Sequence, residues 1–246
     1  QQGQLKLFGQ SFTNNRIEIL KKLGSIIEQP SLYGHLTAKE NLDIYRRIYQ
    51  VPKSKITDVL KKVGLSDTGS KKARQFSLGM KQRLAIAISL LHDPELLILD
   101  EPTNGLDPNG IVETRELIKK LNREEGKTIL VSSHILNEVE RMATHVGIIH
   151  KGSLLFQGTL PELQQMKSKQ AKLLIDTNNN AQALSIELLK NAQMSEEGKI
   201  TLEYVDKEHA ASINHALVQA GLRVYSLQPS QNDLEQLFMD ITSSHS

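Results

Sequence analysis

The stretch Leu96-Leu-Ile-Leu-Asp-Glu101 limits what this chain can fold into more than any other. Four apolar residues follow Pro94-Glu95 and run straight into two acids. A short apolar run without alternation, bounded by turn and charge signals, predicts a strand buried on both faces of a parallel sheet. Helical patterns lie on either side, roughly Met80 to His92 and Pro108 to Glu125, and Thr128–Ser133 follows as a second buried strand. Strands and helices alternating in this way predict an α/β architecture. Ligands of such sheets bind beyond the carboxyl ends of the strands, which is where Asp100 and Glu101 fall.

Gly126-Lys127-Thr128 has the ending of a nucleotide phosphate loop, G-x-x-x-x-G-K-[ST]. The pattern needs a glycine five residues before Gly126, and that residue is Leu121. The order of elements is also reversed, because a phosphate loop follows a strand and opens a helix. Gly126 is therefore read as the C-terminal cap of a helix.

Composition narrows the class. A net charge of +2 over 246 residues argues against a dedicated nucleic-acid binder. The absence of cysteine excludes disulfides and thiolate metal sites. No apolar run reaches the length of a membrane span, so any link to a membrane goes through a partner. The first residue is Gln, which leads to the expectation of a fragment, a processed chain or an incomplete gene.

Residues 38–64 carry apolar residues at helical spacing, interrupted at Val51-Pro52-Lys53, so two helices are expected. A strand is expected over Gly24–Glu28. Val146–His150 and Ser153–Gln157 flank Lys151-Gly152, a hairpin signal. Beyond residue 168 the pattern reads as strand 172–176, helix 181–192, strand 199–205, helix 209–220, strand 223–227 and helix 233–241. That predicts a separate βαβαβα unit, joined through a Lys/Gln-rich linker over 164–172.

Several residues could serve one phosphoryl chemistry. Asp100 could hold Mg²⁺ directly or through water. Glu101 could orient a water for attack on a phosphoryl group. Ser77 and Gly79 precede a helix, and a helix N-terminus with a hydroxyl and an open backbone favours an anion. His134 ends the next strand, where its imidazole could meet a γ-phosphate. Gln29 follows strand 24–28 in the same way and could reach Mg²⁺ or the attacking water. Taken singly, each has a plainer reading: acids solvating a strand end, a serine cap, an incidental histidine.

Together and in this order they resemble the ATP-binding subunit of ABC transporters. Gln29 matches the Q-loop, and Phe76-Ser77-Leu78-Gly79-Met80 the signature usually written Leu-Ser-Gly-Gly-Gln. Leu96–Asp100 with Glu101 matches the Walker B strand and its catalytic carboxylate. Gly105-Leu106-Asp107 matches the D-loop, and His134 the switch histidine. Leu78 and Met80 depart from Gly and Gln at their positions, which removes a polar contact near the nucleotide. The Ser-Leu-Gly-Met-Lys-Gln form and the extra C-terminal domain resemble the bacitracin and lantibiotic exporter branch. No phosphate loop (Walker A) occurs in the 246 residues. The resemblance places it on a strand–loop–helix unit upstream, so either an N-terminal segment is missing or the loop has been lost, and the first is expected because the chain does not begin with Met.

The resemblance implies an α/β nucleotide-binding domain over 1–168. It would have an incomplete RecA-like, mostly parallel sheet and a helical subdomain at about 32–92. A small α+β domain would occupy 169–246. ATP and Mg²⁺ are the implied ligands. Two ATPase subunits, here two copies, would meet head to tail. Ser77, Leu78, Gly79, Met80 and Asp107 would then act in trans, with Glu101, His134 and Gln29 catalytic and Asp100 and Gln29 at the metal. The implied activity is MgATP hydrolysis driving a separate membrane permease, for peptide-antibiotic efflux or immunity. The subunit would be cytoplasmic and peripheral to the inner membrane face, with Leu32–Gly64 either the permease-docking surface of the family or an ordinary helical cover. These residues alone are expected to be inactive. An alternative is a non-catalytic module that completes a partner's ATP site. Repair or chromosome-maintenance ATPases of the same type need long coiled-coil insertions or a second ATPase unit, and neither is present.

Overall fold

Parallel neighbours require a crossover between them, and the sheet of this chain is built around two. The computed structural model describes residues 3–27, 31–168, 172–195 and 198–230. The chain divides into two compact units, Gln1–Glu138 and Val139–Ser246.

The first unit opens with a two-strand ribbon, β1 (Lys6–Leu7) and β2 (Gln10–Ser11), and a short helix α1 (Arg16–Lys21). Strand β3 (Leu23–Ile26) then leads into helices α2 (Ala38–Tyr49), α3 (Ser54–Lys62) and α4 (Leu78–Leu90). A capping box starts α2: the Thr37 hydroxyl accepts the Glu40 N–H at 3.2 Å and the Glu40 carboxylate accepts the Thr37 N–H at 2.7 Å. Helix α2 ends at Gln50 in the left-handed region, ahead of Pro52. As expected, the break at 51–53 separates two helices.

Helix α4 is apolar around most of its surface and packs against α2, α3 and β3. Leu84, Ile86 and Ala87 are fully buried. Its approach to β3 is close: a Cβ on Gly24 would stand 2.3 Å from the Ser89 carbonyl oxygen and 2.8 Å from Leu97 Cδ2.

Strand β4 (Leu96–Asp100), helix α5 (Pro108–Arg123), strand β5 (Thr128–Ser132) and helix α6 (Leu136–Met142) complete this part, α6 straddling the division between units. The sheet order is β3-β4-β5, all parallel, with Ile26 beside Leu99 and Ser132 beside Asp100. Leu97 and Leu99 in the central strand are fully buried, as the apolar run predicts. Strand β5 departs from the expectation of a buried strand. It alternates, leaving Leu130 59% exposed, because among the described residues it forms an edge of this sheet. Gly126, at φ +66°, caps α5: its N–H reaches the Asn122 carbonyl and the Lys127 N–H reaches that of Leu121. The Gly-Lys-Thr triplet is thus a helix stop, and Lys127 Nζ pairs with Asp93 at 2.7 Å.

In the second unit β6 (His145–His150) and β7 (Ser153–Thr159) form the expected hairpin, turning through Lys151 and Gly152, both at positive φ. Helix α7 (Leu160–Ser168) packs on it. The remaining elements are β8 (Lys172–Thr177), α8 (Asn180–Ala183), β9 (Gln193–Met194), β10 (Ile200–Glu203), α9 (Lys207–Gln219) and β11 (Val224–Ser230). They form an antiparallel sheet of order β11-β8-β10-β9 over a core that includes Leu173, Ile175, Ile200, Ile213 and Leu217. This is a βαββαβ unit of split-βαβ type rather than βαβαβα. The expected helix 181–192 stops at Ala183, Ile186 is extended, and Gln193-Met194 pairs with β10. The helix expected over 233–241 lies outside the described residues. The division into compact units falls at 138/139, and the boundary expected from the sequence lies near 168.

Candidate nucleotide site

Strands β4 and β5 deliver four polar side chains to one edge. In the parallel register Asp100 stands beside Ser132, the last residue of β5. The Ser132 hydroxyl donates to Asp100 Oδ1 and accepts the Glu101 N–H at 2.9 Å. The Ser132 carbonyl also receives that N–H, at 3.2 Å.

Glu101 adopts φ +46°, a left-handed conformation that non-glycine residues rarely take. The chain turns sharply here, and the Asn104 N–H closes the turn on the Glu101 carbonyl at 3.1 Å. The turn brings Glu101 Oε2 to 2.8 Å from His134 Nδ1. A carboxylate accepts, so Nδ1 carries the proton in this contact. The Glu101 side chain is 29% exposed and that of His134 65%, so the pair is open to a ligand.

The start of α4 lies against the start of α5. Ser77 caps α4, its hydroxyl accepting the Met80 N–H at 3.2 Å. Ser77 and Leu78 are exposed, while Gly79 and Met80 are half-buried. Asp107 caps α5 by accepting the Gly110 N–H at 3.2 Å, and Pro108 opens the helix. A Cβ on Gly105 would stand 3.2 Å from Leu78 Cδ2, and one on Gly79 3.9 Å from Gly110 Cα. The structure therefore forms two groups: Asp100, Glu101, Ser132 and His134 at the sheet edge, and Ser77, Leu78, Gly79 and Asp107 at two adjoining helix starts. Gln29 lies outside the described residues. The strand before it, β3, runs parallel to β4 toward the same edge.

Sequence reasoning missed Ser132. The only signal is positional: it lies two residues before His134 on the strand that pairs with β4. Among the described residues no three His, Cys, Asp or Glu side chains gather into a metal cage. Asp100 with the Ser132 hydroxyl instead suits Mg²⁺, which keeps most of its shell as water and substrate phosphate oxygens.

A family model described as ABC transporter matches residues 1–104. The bacitracin transport ATP-binding protein BcrA of Bacillus licheniformis is 42% identical over 242 residues, covering 97% of this chain and 79% of that protein. The chain belongs to the ATP-binding subunits of ABC transporters. The lantibiotic transport ATP-binding protein SrtF of Streptococcus pyogenes is 52% identical to this ABC subunit over 138 residues, 56% of this chain and 60% of that protein. Among solved structures, a dimeric post-hydrolysis state of the ATP-binding cassette MJ0796, bound to ADP and Pi, superposes with a TM-score of 0.56. It is 27% identical, over 65% of this chain and 74% of that one. The expected fold class and family are thus established, and the subunit is an ABC-type ATPase. Among the described residues no helix is long and apolar enough to cross a membrane.

Proposed function

We propose that this subunit hydrolyses MgATP to drive export of a peptide antibiotic. It does so on the cytoplasmic face of a membrane permease, paired head to tail with a second copy. The observation that carries the reading is the 2.8 Å contact between Glu101 and His134 at the carboxyl edge of β4 and β5. Glu101 orients the attacking water and takes its proton. The water oxygen bonds to the γ-phosphorus, and the bond to the β–γ bridging oxygen breaks, releasing ADP and phosphate. His134 holds Glu101 through Nδ1–H at the edge assigned to the γ-phosphate. Asp100, oriented by the Ser132 hydroxyl, and Gln29 would hold Mg²⁺, which would supply neutralisation of developing phosphate charge. Ser77, Leu78, Gly79, Met80 and Asp107 serve the partner's nucleotide, with the α4 N-terminus directed at its γ-phosphate. The dimeric ADP-bound cassette supports the pairing, and the named roles of BcrA and SrtF support the cargo class. The permease contact is assigned to the α2 region. Leu32, Tyr33 and Tyr45 line a cavity of about 270 Å³ there, and Tyr33, Ile48 and Tyr49 are exposed.

The deciding experiment uses the full-length subunit with its permease in liposomes. Glu101→Gln is expected to lower ATPase turnover at least about a hundredfold, the scale of a lost general base, while ATP binding persists. Turnover within twofold of the unsubstituted protein would refute the assignment. Stimulation of turnover by bacitracin or a lantibiotic tests the cargo.

One observation favours a second reading for these residues taken alone. They contain Ser77, Gly79 and Asp107 but no G-x-x-x-x-G-K-[ST] pattern. By themselves they would complete a partner's site without turning over ATP. A steady-state rate from residues 1–246 that disappears in Glu101→Gln would overturn this.

A further inference from the structure

Arg115 and Glu138 form a buried ion pair that the chemistry above does not use. Each is 8% exposed. Arg115 Nη1 donates to both carboxylate oxygens of Glu138 at 3.1 Å, and Arg115 Nε lies 3.5 Å from Glu116 Oε1. Such a pair is weak evidence for stability, since desolvation offsets much of the attraction and an apolar pair of similar volume often serves as well. What ions add over apolar contacts is a defined geometry.

The geometry they define leads to His134. Glu138 lies in the first turn of α6. Its N–H donates to the Ile135 carbonyl at 2.9 Å, and the Ile135 N–H donates to the Ser133 hydroxyl at 3.1 Å. His134 is held between these two anchors. Arg115 belongs to α5, whose start carries Asp107 and adjoins the start of α4 at Gly79. One rigid helix thus supports both the helix starts assigned to the partner's nucleotide and the loop that bears His134.

We infer that Arg115 and Glu138 are positioning residues that set His134 at its working distance from Glu101. The inference rests on the hydrolytic reading of Glu101 and His134. Neither Arg115 nor Glu138 touches the substrate. Removing their charges while keeping the volume filled leaves α6 packed but free to shift, and His134 shifts with it.

The test uses the full-length subunit with its permease. Arg115→Met combined with Glu138→Leu is expected to fold with a Tm at or above that of the unsubstituted protein. Its kcat should fall at least tenfold, with KM for ATP within twofold. In a His134→Ala background the same pair of substitutions should cause no further loss, since interacting residues are non-additive. A folded double variant with unaltered kcat would overturn the inference, as would a loss that simply adds to that of His134→Ala. If the double variant does not fold, Glu138→Gln replaces it, and a normal kcat there overturns the inference equally. Glu101→Gln is run alongside. If it leaves turnover unchanged, the hydrolytic reading itself fails, whatever the pair does.

Discussion

Ser132 stands beside Asp100 across the β4–β5 register, and one hydroxyl serves two neighbours there: it donates to the Asp100 carboxylate and accepts the Glu101 N–H. Ser132→Ala removes the partner of a carboxylate assigned to Mg²⁺. Loss of such an outer-shell partner typically weakens metal affinity about 10–100-fold. Titrating ATPase activity against Mg²⁺ should show the half-activating concentration rise by that order. The Tm should move little, because the Ser132 carbonyl still accepts the Glu101 N–H. An unchanged Mg²⁺ requirement would remove Ser132 from the site.

The left-handed backbone of Glu101 costs about 1–2 kcal/mol in a residue with a Cβ. Glu101→Gly and Glu101→Ala lose the same carboxylate and the same contact with His134, so their difference isolates the backbone. Glycine should be the more stable of the two by about 1 kcal/mol in chemical denaturation, after allowing for its larger unfolded-state entropy. Equal stability, or an advantage for alanine, would show that the conformation carries no strain.

The elements that could be read from the chain are those whose signals are local. The apolar run ending in Asp100-Glu101 announces both a buried strand and the acids at its tip. Ser77 shows itself as a cap, Gly126 as a helix stop and Lys151-Gly152 as a hairpin. Ser132 and the Arg115–Glu138 pair escaped because each depends on a non-local fit, the register of one strand on another and the facing sides of two helices. Helix α6 is too short for apolar periodicity to stand out, and α7 runs through Ser168 into the Lys/Gln-rich stretch that reads as a linker. The spacing of Ala, Leu and Ile over 181–192 imitates a helix, yet Ala183 and Leu189 reach the same core from either side of an extended Ile186.

Gly24 is required by packing. Its hydrogen faces the Ser89 carbonyl of α4, where a methyl group would overlap backbone at 2.3 Å. Gly24→Ala must push β3 and α4 apart, and overpacking of this kind typically costs about 1–3 kcal/mol. Urea unfolding should show at least that loss. A neutral result would mean that the helix lies farther from the strand.

The capping-box carboxylate of Glu40 supplies a pH signature. The Thr37 N–H and hydroxyl, with Lys72 Nζ at 3.2 Å, hold its pKa at about 2, below the ordinary carboxylate range. A depressed folded pKa stabilises above the unfolded value and ceases to do so as pH falls through the folded one. The stability advantage over Glu40→Gln should therefore be full above about pH 4.5 and shrink steadily toward pH 2. Thermal melts of both proteins across that range test it. A constant difference would mean that the carboxylate gains nothing from its partners.

The placement of Leu78 Cδ2, 3.2 Å from where a Cβ on Gly105 would stand, makes the start of α4 and the turn at Gly105 answerable to each other. Leucine at 78 reaches the space that any side chain at 105 would claim, and Gly105 already turns through φ +71°. Substitutions at the two positions cannot be independent: the same change at 105 should be harsher with leucine at 78 than with glycine there. Any attempt to restore the commoner signature, or to alter the turn that follows Glu101, must treat the two sites as one unit of inheritance.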